Sequence, residues 1–277
     1  LGPIIRKEGI EVLVTDSYSF DQNYLQELKK MVGKLVSIHD FAPFPFPSDM
    51  VINGNIYARE LEYKSLDTRA RFLLGTEYIL LREEFTGIGK RRLDKKVKRI
   101  LVTVGGGDPL NLTPRILQAL SNLSNLADNP FISRDELKLH VIIGPAFKNL
   151  EEIITVAKDL QMTTAFHFNI RRISDLMVIA DLAISAGGST LYELAACGTP
   201  AIAILQAENQ VQGAEALAEK GTVVNLGWGD KLTREDITAS IIELSYNYEL
   251  RKRMSKTGQD LVDGKGTLRC VEEILGL

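Results

Sequence analysis

The strongest constraint on the fold of this chain is a repeated order, in which a short apolar strand ends in a glycine-containing turn and a helical pattern follows. Residues 183–193, Ala-Ile-Ser-Ala-Gly-Gly-Ser-Thr-Leu-Tyr-Glu, show this order, and residues 99–113, with glycines at 105–107, show it again. Strands that alternate with helices pair in parallel, because each helix returns the chain to the start of the next strand. The sequence therefore predicts an α/β protein with doubly wound parallel sheets.

A basic segment divides the chain. Residues 90–99 hold seven Lys or Arg residues and one Asp. We interpret it as a solvated linker, with a phosphate-binding tract as the alternative. A fresh α/β pattern begins directly afterwards. The sequence thus predicts an N-terminal Rossmann-like domain with its linker over residues 1–97, and a C-terminal Rossmann-like domain over residues 98–277.

Composition excludes several classes of protein. The chain has 277 residues, 45% hydrophobic, with a formal net charge of -3, so neither disorder nor a general nucleic-acid surface is indicated. Its apolar runs are too short for an integral membrane segment. Two cysteines are expected to be buried free thiols, and three scattered histidines have no metal-ligand spacing. We therefore predict no metal site and no cofactor.

The turn at Gly187 and Gly188 is the first candidate ligand site. Free backbone N–H groups at the start of a helix favour an anion such as phosphate, and Ser189 and Thr190 add hydroxyl donors. Glu193 is placed to bind ribose hydroxyls. A side chain at position 187 is expected to fill the phosphate position. The structural alternative is a capping box, in which Glu193 returns to the Thr190 amide.

The glycines at 105–107 form a second candidate site. The turn matches neither the G-x-G-x-x-G fingerprint nor the P-loop, which excludes those nucleotide sites. Adjacent glycines permit close approach of a ligand, while Asp108 and Asn111 suit either ligand contact or a local cap. Further along, the amides of Asn209 and Gln210 suit sugar hydroxyls, although a surface turn would look the same.

Polar residues also follow the predicted strands of the first domain. Ligands in open α/β sheets bind at the carboxyl ends of strands, so this repeated placement marks a candidate site. The residues are Asp16, Tyr18, His39, Asp40, Asn53, Asn55, Tyr57 and Arg82.

In their order along the chain, these motifs resemble a known family. The ordered set is residues 12–18, 38–40, 53–57, 80–85, 105–111 and 184–190, then Glu193 and the Asn209-Gln210 pair. It is similar to the UDP-sugar hydrolase of pseudaminic acid biosynthesis and to the spore-coat polysaccharide proteins, both in the wider MurG-like GT-B group of nucleotide-sugar enzymes. The resemblance spans essentially the whole chain.

The resemblance implies a cytoplasmic, monomeric GT-B enzyme with a UDP-sugar as its partner and no metal. A hydrolase of this family releases UDP and a free 2,4-diacetamido-2,4,6-trideoxyhexose. A glycosyltransferase with the same donor and a non-catalytic nucleotide-sugar-binding protein are the alternatives. The implied binding residues are Gly106, Gly107, Asp108, Asn111, Ser185, Gly187, Gly188, Ser189, Thr190, Glu193, Asn209 and Gln210, with Asp16, Tyr18, Asn53, Asn55, Tyr57 and Arg82 from the first domain.

The sequence departs from the family at its catalytic base. The family's catalytic histidine lies in a Gly-x-Gly-His-like loop after the first strand, and residues 1–277 contain no such loop. The resemblance therefore implies a truncated N-terminal domain, with the base in the segment that precedes it. Within the given residues, the candidates for a base are His39 and Asp40.

Overall fold

The computed structural model describes residues 2–121, 136–160 and 162–277 and divides the chain into two compact units. Unit 1 comprises Leu1–Thr86 and Asp263–Leu277, and unit 2 comprises Gly87–Val262. These bounds differ from the predicted ones, because the last helix belongs to unit 1. Its Cys270 is buried against Val36, Met50 and Leu73, which are residues of the first sheet.

Unit 1 is built on a four-stranded parallel sheet in the order β1-β2-β3-β4. The sequence predicts apolar strands at residues 11–16, 34–38, 50–53 and 71–74 and a helix at residues 21–30, and the observed elements lie at these positions. The strands are β1 (Val12–Asp16), β2 (Lys34–Ile38), β3 (Met50–Asn53) and β4 (Arg71–Leu74), and the helices are α1 (Gly2–Glu8), α2 (Gln22–Lys29) and α10 (Gly266–Leu275).

The apolar stretch at residues 78–81 forms no strand. A single turn of 3-10 helix, Thr76–Tyr78, precedes Ile79. A β-carbon on Gly54 would lie 2.3 Å from Ile79 Cα, and one on Gly266 would lie 2.2 Å from Ile79 O. Two glycines therefore let other segments pack directly against the backbone of Ile79, which is buried by this packing and not by sheet pairing.

Unit 2 is a six-stranded parallel sheet in the order β10-β9-β8-β5-β6-β7. This order corresponds to two halves that diverge from the central pair β5 and β8, the doubly wound arrangement that the alternating pattern predicts. The strands are β5 (Arg99–Thr103), β6 (Lys138–Ile143), β7 (Thr163–Phe168), β8 (Leu182–Ala186), β9 (Ala201–Leu205) and β10 (Val223–Trp228).

Helices surround this sheet, and one predicted helix is in fact two. The helices are α3 (Leu112–Ser121), α4 (Leu150–Lys158), α5 (Ser174–Met177), α6 (Thr190–Ala196), α7 (Val211–Glu219), α8 (Arg234–Tyr246) and α9 (Tyr248–Leu261). The sequence predicts one helix over residues 234–250, but the helix is interrupted at Asn247, between α8 and α9. The Asn247 side chain accepts a hydrogen bond from Leu250 N and caps α9, which the periodicity did not reveal.

The basic segment at 90–99 is less solvated than predicted. Arg91 donates hydrogen bonds to the carbonyls of Met177 and Ala180 and to the Thr199 hydroxyl. Burial lowers the pKa of Arg91 to about 10. The fully buried Arg251 donates to the carbonyl of Lys95. Arginines therefore tie this segment to the body of unit 2 through backbone carbonyls.

Candidate ligand-binding site

The two glycine turns of unit 2 line one cavity of about 400 Å³. Thr103 of β5 pairs with Ser185 of β8, so both turns leave the sheet at the same edge, at the centre of the doubly wound order. Ligands of such sheets bind at this switch point. The lining residues are Val104, Gly105, Gly106, Gly107, Pro109, Ala186, Gly188, Ser189, Thr190, Gln206, Ala207 and Gln210.

Gly187 supports the cavity without lining it. Its N–H donates to Ile204 O at 3.2 Å. A β-carbon at this position would lie 2.6 Å from Leu205 Cδ2 and 3.2 Å from Gln210 Cβ. The expectation that a side chain here would fill the phosphate position is therefore wrong, because it would instead collide with β9 and the Gln210 side chain.

The start of α6 faces the cavity. Ser189 occupies the N-cap position with helical backbone angles, and its side chain makes no capping hydrogen bond. Thr190 is thus the first helical residue. The capping-box alternative requires Thr190 at the N-cap position, so the structure does not support it. Glu193 is half-buried and does not line the cavity, and Ser185 is fully buried with its hydroxyl donating to Ala186 O.

Two glutamines form one wall of the cavity. The Gln206 N–H donates to Gln210 Oε1 at 2.9 Å, which fixes the Gln210 amide with its Nε2 turned away from Gln206 N. The Gln206 side chain donates from Nε2 to Val104 O at 2.9 Å. Sequence reasoning missed Gln206, whose only signal was its position directly after a buried strand. Asn209 is exposed and does not line the cavity.

Asp108 and Asn111 brace the first turn. Both carboxylate oxygens of Asp108 accept backbone N–H groups, from Leu112 at 2.7 Å and from Thr113 at 2.8 Å, at the start of α3. Asn111 has a positive φ of 53° and donates to Glu152 at 2.9 Å. Neither residue lines the cavity. In the structure both make the local contacts that the capping interpretation describes.

In unit 1, several predicted residues meet around Asp40. Its carboxylate accepts hydrogen bonds from the Tyr18 hydroxyl and from Asn55 Nδ2. The buried Asn53 donates to Asp40 O at 3.0 Å and to the Tyr63 hydroxyl at 2.8 Å. Burial raises the pKa of Tyr63 to about 12. Tyr63 completes this network, and the sequence analysis did not single it out.

His39 lies beside this network, buried among aromatic rings. Its Nδ1 is 3.1 Å from Phe41 N and 2.9 Å from Phe41 O, and the Phe46 ring centroid is 5.5 Å from that of the imidazole. Burial lowers the pKa of His39, against the opposing effects of the Phe41 hydrogen bond and the Asp40 charge. Burial of the ring therefore favours the neutral form of the imidazole.

The remaining predicted residues of unit 1 are Asp16, Tyr57 and Arg82. Asp16 is exposed at the end of β1, and Tyr57 is buried. Arg82 forms an ion pair with Glu84 and lies over the Phe85 ring.

Within residues 2–121, 136–160 and 162–277, no group of three or more His, Cys, Asp or Glu residues could hold a metal ion. Both cysteines are buried thiols that form no disulfide, as predicted. In the part of the chain that the structure describes, no helix has the length and apolarity to cross a membrane.

Comparisons with a family model and with individual proteins point to the same family. Residues 99–265 match the family model for the glycosyltransferase family 28 C-terminal domain. The spore coat polysaccharide biosynthesis protein SpsG of Bacillus subtilis is 30% identical over 80% of this chain and 63% of its own length. A UDP-2,4-diacetamido-2,4,6-trideoxy-beta-L-altropyranose hydrolase of Campylobacter jejuni is 27% identical over 79% of this chain and 74% of its own length. The chain thus spans less than two thirds of SpsG.

Solved structures share the fold at low identity. The MurG structure of Acinetobacter baumannii superimposes with a TM-score of 0.73 at 15% identity and covers 100% of this chain and 76% of that one. The Staphylococcus aureus MnaA-UDP co-structure superimposes with a TM-score of 0.62 at 13% identity and covers 99% and 77%. The predicted MurG-like α/β fold and the resemblance to the spore-coat and hydrolase proteins are confirmed, and the chain belongs to the family of the glycosyltransferase family 28 C-terminal domain.

Proposed function

We propose that this protein is an enzyme that binds a UDP-sugar, with the diphosphate in the cavity between the turns at 105–107 and 187–190. The observation that carries the proposal is that both turns line the same cavity at the switch point of the sheet. Glycine at Gly106, Gly107 and Gly188 permits close approach of a ligand, and Ser189 and Thr190 line the same cavity at the start of α6. A related fold is known in complex with UDP, in MnaA.

The proposed reaction is hydrolysis, with UDP as one product and a free 2,4-diacetamido-2,4,6-trideoxyhexose as the other. The proposal is supported by similarity to the Campylobacter jejuni hydrolase and to a Helicobacter pylori protein whose name combines a cytidylyltransferase with the same hydrolase. Water would attack the anomeric carbon, the bond from that carbon to the phosphate oxygen would break, and UDP would leave with both electrons. Amide donors at the cavity would stabilise the charge on the leaving diphosphate.

Glycosyl transfer from the same donor is the second candidate. The family model that matches residues 99–265 is that of a glycosyltransferase domain, and MurG shares the fold. In that case the anomeric carbon would be attacked by an acceptor hydroxyl instead of water. The nucleotide site would be the same in both reactions.

Phosphorus NMR of the protein with UDP-2,4-diacetamido-2,4,6-trideoxyhexose in ¹⁸O-labelled water tests these assignments. Hydrolysis at the anomeric carbon gives UDP with no isotope shift on its β-phosphorus, and the label appears in the free sugar. Binding without release of UDP would favour transfer or a non-catalytic role. Absence of any UDP binding by titration calorimetry would contradict the whole proposal. We expect EDTA to leave turnover unchanged.

A further inference from the structure

Gly144 follows β6 and lies against the first glycine turn, outside the cavity lining. A β-carbon on Gly144 would lie 2.4 Å from Gly106 O and 2.6 Å from Gly105 O. Both distances are shorter than real contacts of a β-carbon, and both partners are backbone atoms that no side-chain rotation can move. Only glycine at position 144 permits this approach.

A hydrogen bond fixes the same contact. Ala146 N donates to Gly106 O at 2.9 Å, and Phe147 N donates to Gly144 O at 3.2 Å, which folds residues 144–147 into a turn. In a trans peptide the N–H points opposite to the carbonyl, and none of the described peptide bonds is cis. With its carbonyl turned to Ala146, the Gly106–Gly107 peptide therefore directs the Gly107 N–H away from this turn.

Side-chain hydrogen bonds also hold the turn at 105–107 in place. Asn149 donates from Nδ2 to Asp108 Oδ2 at 3.3 Å and to the Asn111 side chain. On the other side of the glycine turn, Gln206 holds the carbonyl of Val104. The turn at 105–107 has no side chains of its own to fix it, so its position depends on these neighbours.

We infer that Gly144 is a positioning residue for the ligand. By letting residues 144–146 pack against the carbonyls of Gly105 and Gly106, it sets where the amides of the glycine turn lie in the cavity. This inference rests on the proposed function, because it concerns the same diphosphate site. It assigns a role to a residue that does not touch the ligand.

The test compares UDP affinity and stability in two matched variants. Gly144→Ala would push Gly106 O by roughly 0.6 Å and Gly105 O by roughly 0.4 Å, so we expect the Kd for UDP to rise at least tenfold. The control is Gly266→Ala, whose β-carbon would be equally close to backbone, at 2.2 Å from Ile79 O, but which belongs to unit 1 and is not among the residues that line the cavity. It should lower the unfolding midpoint and leave the Kd within about twofold.

Kd is measured by calorimetry at a temperature where circular dichroism shows each variant folded. Asn149→Ala removes only the side-chain tie to Asp108 and Asn111, and serves as the milder variant if Gly144→Ala does not fold. We expect it to raise the Kd about threefold to tenfold. If the folded Gly144→Ala protein, or Asn149→Ala where that one does not fold, binds UDP as tightly as wild type, the inference fails and the proposed function stands. If wild type does not bind UDP, both fail.

Discussion

At the scale of single residues, Gly187 and Gly188 are adjacent in sequence and have different roles. A β-carbon on Gly187 would meet Leu205 at 2.6 Å, whereas one on Gly188 would meet only Gln210 Nε2, at an ordinary 3.8 Å. We expect Gly187→Ala to lower the free energy of unfolding by about 1–3 kcal/mol through overpacking. Gly188→Ala should change it by less than about 0.5 kcal/mol and weaken UDP binding at least tenfold, because its methyl group enters the cavity wall. Denaturant titration and calorimetry on the two variants separate these effects, and equal stability losses in both would contradict the assignment.

Glu193 gives the second residue-scale prediction. It is half-buried in the first turn of α6, where the family resemblance places the ribose. Loss of a hydrogen bond between a carboxylate and a hydroxyl weakens binding by about tenfold or more, so Glu193→Gln should raise the Kd for UDP by that factor. Glu215→Gln on α7, which changes an exposed carboxylate, is the matched control. A fall in the unfolding midpoint of Glu193→Gln with unchanged affinity would instead favour a purely structural role.

At the scale of helices and strands, most of unit 2 could be predicted from the sequence, because apolar strands, glycine turns and amphipathic helices alternate without interruption. The interruption at Asn247 could not be predicted, because residues 234–250 have the composition of one continuous helix. The interruption depends on a single side chain, that of Asn247, which caps α9. The contact of Gly144 with the turn at 105–107 could not be predicted either, because it joins segments nearly forty residues apart. Likewise, the sequence suits Asp108 equally to a ligand contact and to a helix cap. In the structure its carboxylate accepts hydrogen bonds from two amides of α3, which is the role of a cap.

The edge strands β6 and β7 carry a pair of imidazoles with a predictable pH dependence. His140 Nδ1 lies 2.9 Å from His167 Nε2, and His140 Nε2 is buried with no hydrogen-bond partner among the described residues. Burial lowers the pKa of both imidazoles, and the charges of His167, Arg99 and Lys138 lower that of His140 further. The folded state therefore binds fewer protons than the unfolded state, so this contribution to stability is full above about pH 6.5 and is lost as the pH falls below it.

Denaturant titrations between pH 8 and pH 5 measure this dependence. We expect the wild-type protein to lose more stability over that range than the double variant His140→Gln, His167→Gln. His39 also has a lowered pKa, but its contribution is common to both proteins and cancels in the difference. Identical pH slopes for the two proteins would show that the imidazole pair binds as many protons in the folded state as in the unfolded state, and that its pKa values are not lowered by folding.

At the scale of the whole molecule, the two ends of the chain belong to one compact unit, so the order of unfolding should not follow the order of the sequence. Cys270 of α10 packs on β2, β3 and β4, and Thr267 donates to Leu81 O at 2.7 Å, while the preceding helix α9 packs in unit 2. Cooperative units of a protein lose amide protection together. In hydrogen exchange at rising denaturant, residues 266–275 should therefore open with β2–β4 and not with α9. UDP should add protection at residues 105–113 and 187–193, since a ligand that binds only the folded state stabilises the unit that holds it. Opening of α10 together with α9 would contradict the division into units, and UDP protection confined to unit 1 would contradict the ligand site.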